Sequence, residues 1–138
     1  MDDVFVGSLM TSPVTTVPAD TPAKEAATLM LEEAISSVVV VDEDNQLVGI
    51  LTSTDFVAIA AASDSAAAFS VADHMTTDVV TTTAGASIQA VADLLIEHGI
   101  HHVPVVDETA GVVGMVTTTD LTAYLAGAVD SESARAWT

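Results

Sequence analysis

The chain has 138 residues, of which 50% are hydrophobic, 20 are acidic and two are basic, for a formal net charge of −18. Its length suits one compact domain, or two small units that share one core. The negative charge repels phosphate backbones and anionic lipids, which argues against nucleic acid or a membrane surface as a direct partner. No apolar run approaches the roughly 20 residues of a membrane span, and the absence of cysteine excludes disulfides and thiolate metal sites.

The composition also carries expectations about the cellular environment. The acidic start, Met1-Asp2-Asp3, lacks the positively charged region of a secretory signal, so we expect a cytoplasmic protein. Few basic residues and many acidic ones are typical of salt-accumulating organisms, because self-repulsion is screened within about 3 Å at molar salt. The alternative is an acidic protein from an ordinary organism.

In chain order, the first half predicts a helical lead-in, a short strand, a helix, two strands joined by a polar turn, and a closing helix. These elements are residues 4–10, 14–17, 22–34, 37–41, 47–51 and 53–62. Thr21 is expected to cap the first long helix, with Pro22 in its first position, where a missing N–H costs nothing. The helix face expected to be buried carries Ala23, Ala26, Met30 and Ala34.

The second half predicts the same order of elements. They are residues 71–75, 79–82, 87–99, 102–106, 112–117 and 118–128, with Ile88, Val91 and Leu95 on the buried helix face. We therefore divide the chain into a first domain (1–62), a linker (63–68), a second domain (69–128) and a tail (129–138). Trp137 in the tail is a candidate subunit contact.

The two halves are a duplication. Residues 49–55 (GILTSTD) recur without a gap as residues 114–120 (GMVTTTD), and residues 38–43 (VVVVDE) recur as residues 103–108 (VPVVDE). One copy is too small to bury both faces of its sheet. We expect a mixed α/β fold of two β-α-β-β-α copies, packed through their sheets about a pseudo-twofold axis.

This pattern resembles the CBS domain, and two copies in tandem resemble a CBS pair, or Bateman module. The residues that carry the resemblance are Met-Thr at the start, Val-Pro-Val-Val-Asp in the middle and Gly-x-x-Thr-x-x-Asp at the end of a copy. The resemblance implies a stand-alone module that senses an adenosine-containing ligand (AMP, ADP, ATP or S-adenosylmethionine), forms a homodimer and regulates a partner protein. It implies no required cofactor, although Mg²⁺ can accompany a multivalent phosphate.

The repeated Thr-x-x-Asp step has the chemistry of a ribose site. A carboxylate accepts two hydrogen bonds from vicinal hydroxyls, which Asp55 and Asp120 can each do. Thr52 and Thr117 lie one helical turn earlier, where their hydroxyls can reach a ribose or phosphate oxygen. Both pairs lie where a helix begins, and its unpaired N–H groups favour an anion.

The resemblance also implies that each cleft combines the Thr and Asp of one copy with residues preceding the middle strand of the other. One cleft then contains Thr117, Asp120, Thr15, Ile35 and Ser36. The other contains Thr52, Asp55, Val80, Ile100 and His101, with His102 beside it. Only the second cleft carries histidines, so it is the better candidate for an anionic ligand, and the first suits a less charged one.

Three alternatives compete with this interpretation. Thr-x-x-Asp is also a helix capping box that needs no ligand, in which case the module is a dimerising scaffold. His98, His101 and His102 suggest zinc only weakly, because they lack a nearby Asp or Cys partner and Gly99 ends the helix between them. Duplicated, equivalent sites fit binding better than acid–base catalysis, which needs unlike environments. We therefore predict neither a metal site nor an enzyme.

Overall fold

The computed structural model describes residues 4–62 and 69–129. The proposed linker, residues 63–68, lies outside the described residues, as does the tail beyond Val129 with Arg135 and Trp137.

The described elements follow the order expected from the duplication. They are α1 (Val6–Leu9), β1 (Thr16–Val17), α2 (Ala23–Glu33), β2 (Ser37–Val41), β3 (Leu47–Thr52), α3 (Ser53–Ala61), a 3-10 turn (Val71–Asp73), α4 (Ile88–His98), β4 (His102–Asp107), β5 (Gly111–Thr117) and α5 (Thr118–Val129). Among these helices, none combines the length and hydropathy that crossing a bilayer requires.

The strands form a three-stranded sheet in the order β1-β2-β3 and a two-stranded sheet of β4 and β5. β1 runs parallel to β2, with Val17 opposite Val40, and β2 runs antiparallel to β3, with Val38 opposite Leu51. The β-branched runs predicted these central strands, because such residues pack well on a pleated surface and are poor helix formers.

The strand predicted at residues 79–82 was wrong, since only Thr82 pairs, through one parallel bridge to Val105. In the first copy, the N–H of Val39 donates to the carbonyl of Thr15 at 3.2 Å. The equivalent of Val39 is Pro104, which has no N–H to donate to Val80. The ladder is therefore shorter in the second copy.

The ends of α2 also differ from expectation. Pro22 is the N-cap in an extended conformation, so the helix begins at Ala23 and Thr21 does not cap it. The N–H of Ala23 instead donates to the carbonyl of Phe69 at 2.8 Å. Ala34 lies past the helix end at φ 55°, in the left-handed region, and is exposed rather than on the buried face. The other three residues of that face, Ala23, Ala26 and Met30, are buried as predicted.

The described residues group into two compact units that do not follow the sequence halves. Unit one contains residues 14–62, 69–79 and 109–112, and unit two contains residues 4–13, 80–108 and 113–129. Each lead-in segment therefore joins the unit formed mainly by the other copy. The fully buried Val71 lies in the core of unit one, and Val6 lies in the core of unit two. Burial of these two apolar side chains explains the exchange.

Candidate functional site

Sheet topology brings several of the predicted ligand residues of unit one to one edge. β1 and β2 start, and β3 ends, at the same edge, because β1 is parallel to β2 and β3 is antiparallel to it. Ser37, the first residue of β2, is opposite Thr52, the last residue of β3. We call Thr15, Ser36, Thr52 and Asp55 the first edge.

Thr52 and Asp55 of the first edge form a capping box at the start of α3. The Thr52 N–H donates to Oδ2 of Asp55 at 2.7 Å, and the Thr52 hydroxyl lies 3.2 Å from the same oxygen. Among the described residues, Oδ1 of Asp55 has no hydrogen-bond partner. One side of this half-buried carboxylate is therefore available to a ligand.

The other members of the first edge are held by short-range contacts. The carbonyl of Ser36 accepts from the N–H of Ser53 at 3.0 Å, which places Ser36 beside the start of α3. The Thr15 hydroxyl donates to Oε1 of Glu33 at the end of α2. Glu33 adds a second carboxylate near this edge, and the resemblance gave no signal for it.

Unit two repeats this arrangement around β4, β5 and α5. We call Val80, His101, Thr117 and Asp120 the second edge. The Thr117 N–H donates to Oδ2 of Asp120 at 2.8 Å, and the Asp120 N–H donates back to the Thr117 hydroxyl at 3.2 Å. The carbonyl of His101 accepts from the N–H of Thr118 at 3.2 Å, as Ser36 does from Ser53.

The second edge differs from the first in its backbone and its charge. The carbonyl of Val80 lacks the donor that Thr15 has, because its partner position is Pro104. The positions of Thr15 and Glu33 are occupied by Val80 and His98. The second copy therefore has a histidine at the position of Glu33, and the carbonyl of Val80 lacks its strand partner.

Sequence reasoning missed one residue that contacts Asp120. The Thr11 hydroxyl donates to Oδ1 of Asp120 at 3.4 Å. The available signal was the Met-Thr pair of the lead-in, whose threonine returns as Thr76 in the second copy. Periodicity alone does not bring two residues so far apart in the chain together.

Two of the predicted ligand residues, Ile35 and Ile100, are half-buried and pack against the cores. Ile35 lies against the core of unit one and Ile100 against that of unit two. Their neighbours Ser36 and His101 are exposed. The isoleucines thus support the edge from inside, while the following residues face solvent.

The predicted clefts each draw on residues of both units. Thr15, Ile35, Ser36, Thr52 and Asp55 belong to unit one, whereas Val80, Ile100, His101, His102, Thr117 and Asp120 belong to unit two. Within each unit, the structure gathers the Thr–Asp pair with the residue preceding the middle strand of the same copy. The pairing across copies stays a prediction.

The histidines are not arranged as a metal centre. His98 ends α4, and Gly99 follows in the left-handed region at φ 61°. In the part of the chain that the structure describes, no group of three or more His, Asp or Glu side chains is gathered as metal ligands.

His102 is half-buried, and burial lowers its pKa from the ordinary value, with a further lowering from the charge of His101. The unfolded chain therefore binds this proton more readily than the folded chain does. We expect the free energy of unfolding to be insensitive to His102 above a pH of about 6.5 and to decrease as the pH falls below that value. Urea unfolding at pH 7.5 and 5.5 should show a larger loss for the wild type than for His102→Gln. Equal losses would contradict this prediction.

A surface groove of about 650 Å³ lies elsewhere, along α2. Its lining residues are Pro22, Lys24, Glu25, Thr28, Leu29 and Glu32. None of the predicted ligand residues lines it. The groove has one cation, Lys24, beside two carboxylates, so its charge does not favour an anion.

Comparison with known proteins identifies the family to which the chain belongs. The CBS domain model matches residues 6–62 and 71–127. The chain is 34% identical over 116 residues to an inosine-5′-monophosphate dehydrogenase of Nitrosopumilus maritimus, covering 84% of this chain and 23% of that enzyme. It is also 30% identical over 122 residues to a homoserine O-acetyltransferase of Methanococcus vannielii, covering 88% of this chain and 25% of that enzyme. The chain thus spans about a quarter of the length of these two relatives.

Solved structures agree with this assignment. The CBS domain pair of protein MJ0100, solved with 5′-methylthioadenosine and S-adenosyl-L-methionine, has a TM-score of 0.84 and 29% identity, covering 91% of this chain and 98% of that one. A conserved protein of Pyrococcus horikoshii has a TM-score of 0.81 and 27% identity, covering 88% and 92%. The chain belongs to the CBS domain family and contains two CBS domains in tandem.

Proposed function

We propose that this CBS pair is a regulatory module that binds an adenosine-containing ligand through Asp55 and Asp120. The observation that carries the proposal is the repeated placement of a Thr–Asp pair at a sheet edge, at the start of a helix. Support also comes from the CBS pair of MJ0100, whose structure contains two adenosine derivatives.

The chemistry of each edge suits a ribose. The carboxylate oxygens accept hydrogen bonds from vicinal hydroxyls, and charged acceptors make such bonds stronger than neutral ones. The helix N-terminus adds N–H groups beside the carboxylate, and the β-branched strands supply an apolar surface for adenine. The N–H groups of Thr52 and Thr117 already donate to the carboxylates of Asp55 and Asp120 and so help to fix their orientation.

Charge favours different ligands at the two edges. The first edge carries Asp55 and Glu33 without a neighbouring basic side chain among the described residues, so it suits a neutral or cationic adenosine derivative. S-adenosylmethionine, with its sulfonium, and 5′-methylthioadenosine belong to this class. The second edge carries His101, with His102 beside it. Because His101 lies in the same unit as Asp120, we assign AMP, ADP or ATP to this edge rather than to the cleft with Asp55 that the resemblance implied. Mg²⁺ would offset the negative field for the larger phosphates.

The second candidate function is a scaffold in which the Thr–Asp pairs only cap helices. The capping boxes observed at both edges favour it. Capping and ligand binding use the same carboxylate differently, however, because the cap needs one acceptor oxygen and a ribose diol needs two. This difference allows the two functions to be separated by substitution.

We expect Asp55→Asn and Asp120→Asn to weaken ligand binding while largely preserving stability. Asparagine keeps one acceptor oxygen for the cap. Its amide nitrogen is a donor, however, and cannot accept the hydrogen bond of the second ribose hydroxyl. Each substitution should weaken binding at its own edge by about 10- to 100-fold, the range expected when a charged hydrogen-bond partner is lost. Asp55→Ala or Asp120→Ala should also destabilise the fold by about 0.5–2 kcal/mol through loss of the cap.

The measurement is calorimetric titration in molar KCl with S-adenosylmethionine, 5′-methylthioadenosine, AMP and ATP, each with and without Mg²⁺. Urea unfolding of the same variants reports the cap. Saturable binding that the asparagine variants weaken supports the sensor. Absence of binding to any of these ligands, with normal unfolding, would favour the scaffold.

Regulation follows from differential affinity. A ligand that binds one conformation of the module more tightly increases its population, and a partner protein that contacts this conformation responds. We include in the proposal a homodimer as the regulating form and an enzyme or transporter as the partner. No catalytic step is assigned to the chain itself.

A further inference from the structure

We propose that Thr11 competes with the ligand for Asp120, so that the two edges bind a ribose with unequal affinity. This inference rests on the proposed function and names a residue that lowers the affinity of one edge for a ribose. Among the described residues, the contact from Thr11 to Asp120 is the one hydrogen bond that joins a lead-in side chain to the carboxylate of Asp55 or Asp120.

Both carboxylate oxygens of Asp120 accept a hydrogen bond from the chain itself. Oδ2 accepts from the Thr117 N–H at 2.8 Å, and Oδ1 accepts from the Thr11 hydroxyl at 3.4 Å. A vicinal diol places a hydroxyl on each oxygen, so it must displace Thr11 from Oδ1. The contact to Thr11 is long and exposed, which makes it displaceable at a modest cost.

The backbone holds Thr11 in position to compete. Its N–H donates to the carbonyl of Met115 at 2.8 Å, and the N–H of Met115 donates back at 3.0 Å. The next residue, Ser12, donates from its hydroxyl to the carbonyl of Val113 at 3.0 Å. Because these bonds fix the segment beside β5, the Thr11 hydroxyl reaches Asp120 without a large loss of chain entropy.

The equivalent threonine at the first edge does not make this contact. Thr76 has the same backbone pairing, with Ile50, at 2.9 and 3.0 Å. Within residues 4–62 and 69–129, however, no hydrogen bond joins Thr76 to Asp55, and Oδ1 of Asp55 has no partner. A diol can therefore bind Asp55 without displacing a protein group, whereas binding at Asp120 carries the cost of displacing Thr11.

The experiment compares Thr11→Val with the matched variant Thr76→Val in the full chain. Valine keeps the β-branched shape and replaces the hydroxyl with a methyl group, which can neither donate nor accept a hydrogen bond. Each edge is isolated by combining Thr11→Val with Asp55→Asn, and Thr76→Val with Asp120→Asn. Titration with S-adenosylmethionine, 5′-methylthioadenosine and AMP in molar KCl measures the affinity of the remaining edge.

We expect Thr11→Val to tighten binding at Asp120 by about twofold to threefold, the lower end of the range for one hydrogen bond, because the contact is long and exposed. Thr76→Val should leave binding at Asp55 unchanged. Thr11→Ser, which retains a hydroxyl, should give a smaller gain than Thr11→Val. Thermal unfolding of each variant verifies that the fold is retained, so that a change in affinity reports the lost hydroxyl.

The outcomes separate this inference from the proposed function. Binding at both edges with no gain from Thr11→Val, or with the same gain from Thr76→Val, overturns the competition and leaves the ligand-binding function standing. If none of the three probes binds at Asp55 or at Asp120, the proposed function is overturned, and the competition with it.

Discussion

Replacing Gly111 by alanine is expected to lower the free energy of unfolding by about 2–5 kcal/mol, the sum of backbone strain and overpacking. Gly111 has φ +81°, a conformation that side-chain-bearing residues rarely adopt, and an added Cβ would lie 2.0 Å from the carbonyl oxygen of Asn45. That oxygen belongs to the backbone and accepts from the N–H of Val112 at 3.0 Å, so it cannot move aside at a small cost.

Two glycines provide matched controls for this substitution. Gly99→Ala shares the positive φ, at +61°, but its Cβ meets nothing within 4 Å. It should therefore cost about 1 kcal/mol, the conformational part alone. Gly85→Ala has neither a close neighbour nor a positive φ and should change stability by less than about 0.5 kcal/mol. Urea unfolding of the three variants should rank them Gly111, Gly99, Gly85, and equal costs for the first two would contradict the close approach.

The turns of the two hairpins differ in their side-chain hydrogen bonds. Asn45 has φ 64°, and its side-chain amide donates to the carbonyls of Ala110 and Val112, both at 2.9 Å. Its equivalent in the second copy is Ala110, which cannot make such bonds. The sequence predicted a polar turn here from its acidic and amide residues, but a local turn signal does not predict which backbone that amide contacts.

Most of the fold could be predicted because the duplication gives each element an equivalent in the other copy, so that two stretches of sequence indicate the same structure. The strands at 37–41 and 102–106 and the helix at 87–99 agree with the structure within a residue or two of each boundary. The misses occurred where one residue changed the backbone hydrogen bonding. Pro104 removed a donor from the second short strand, and the extended Pro22 moved the start of α2. The exchange of lead-in segments involves contacts distant in sequence, which periodicity does not encode.

The candidate site was predictable in its residue types and less so in its partners. A repeated Thr-x-x-Asp before a helix predicts both a cap and a carboxylate at the helix start, and the hydrogen bonds of Asp55 and Asp120 confirm the cap. Thr11 and Glu33 reach the edges through tertiary packing, so no local pattern indicates them. The charge difference between the copies follows from two substitutions, His98 for Glu33 and His101 for Ser36.

Leu51→Ala is expected to lower the free energy of unfolding by about 2–5 kcal/mol, because removal of buried methyl groups leaves a cavity in a packed core. The Leu51 side chain is 0% exposed and lies in the core of unit one with Val38, its partner across β2 and β3. Leu51 also directly precedes Thr52, so the cavity lies beneath the first edge. We therefore expect this variant to weaken ligand binding at Asp55 more than at Asp120.

Leu31→Ala is the matched control, since Leu31 lies on α2 with its side chain 83% exposed. The same change there creates no cavity, and alanine has the higher helix propensity, so stability should change by less than about 0.5 kcal/mol. Urea unfolding measures both costs, and titration of the Asp55→Asn and Asp120→Asn backgrounds measures the effect on each edge. A large loss of stability with unchanged affinity at Asp55 would mean that the capping box alone orients Thr52. Joint loss would mean that the core beneath β3 also positions the carboxylate that receives the ribose.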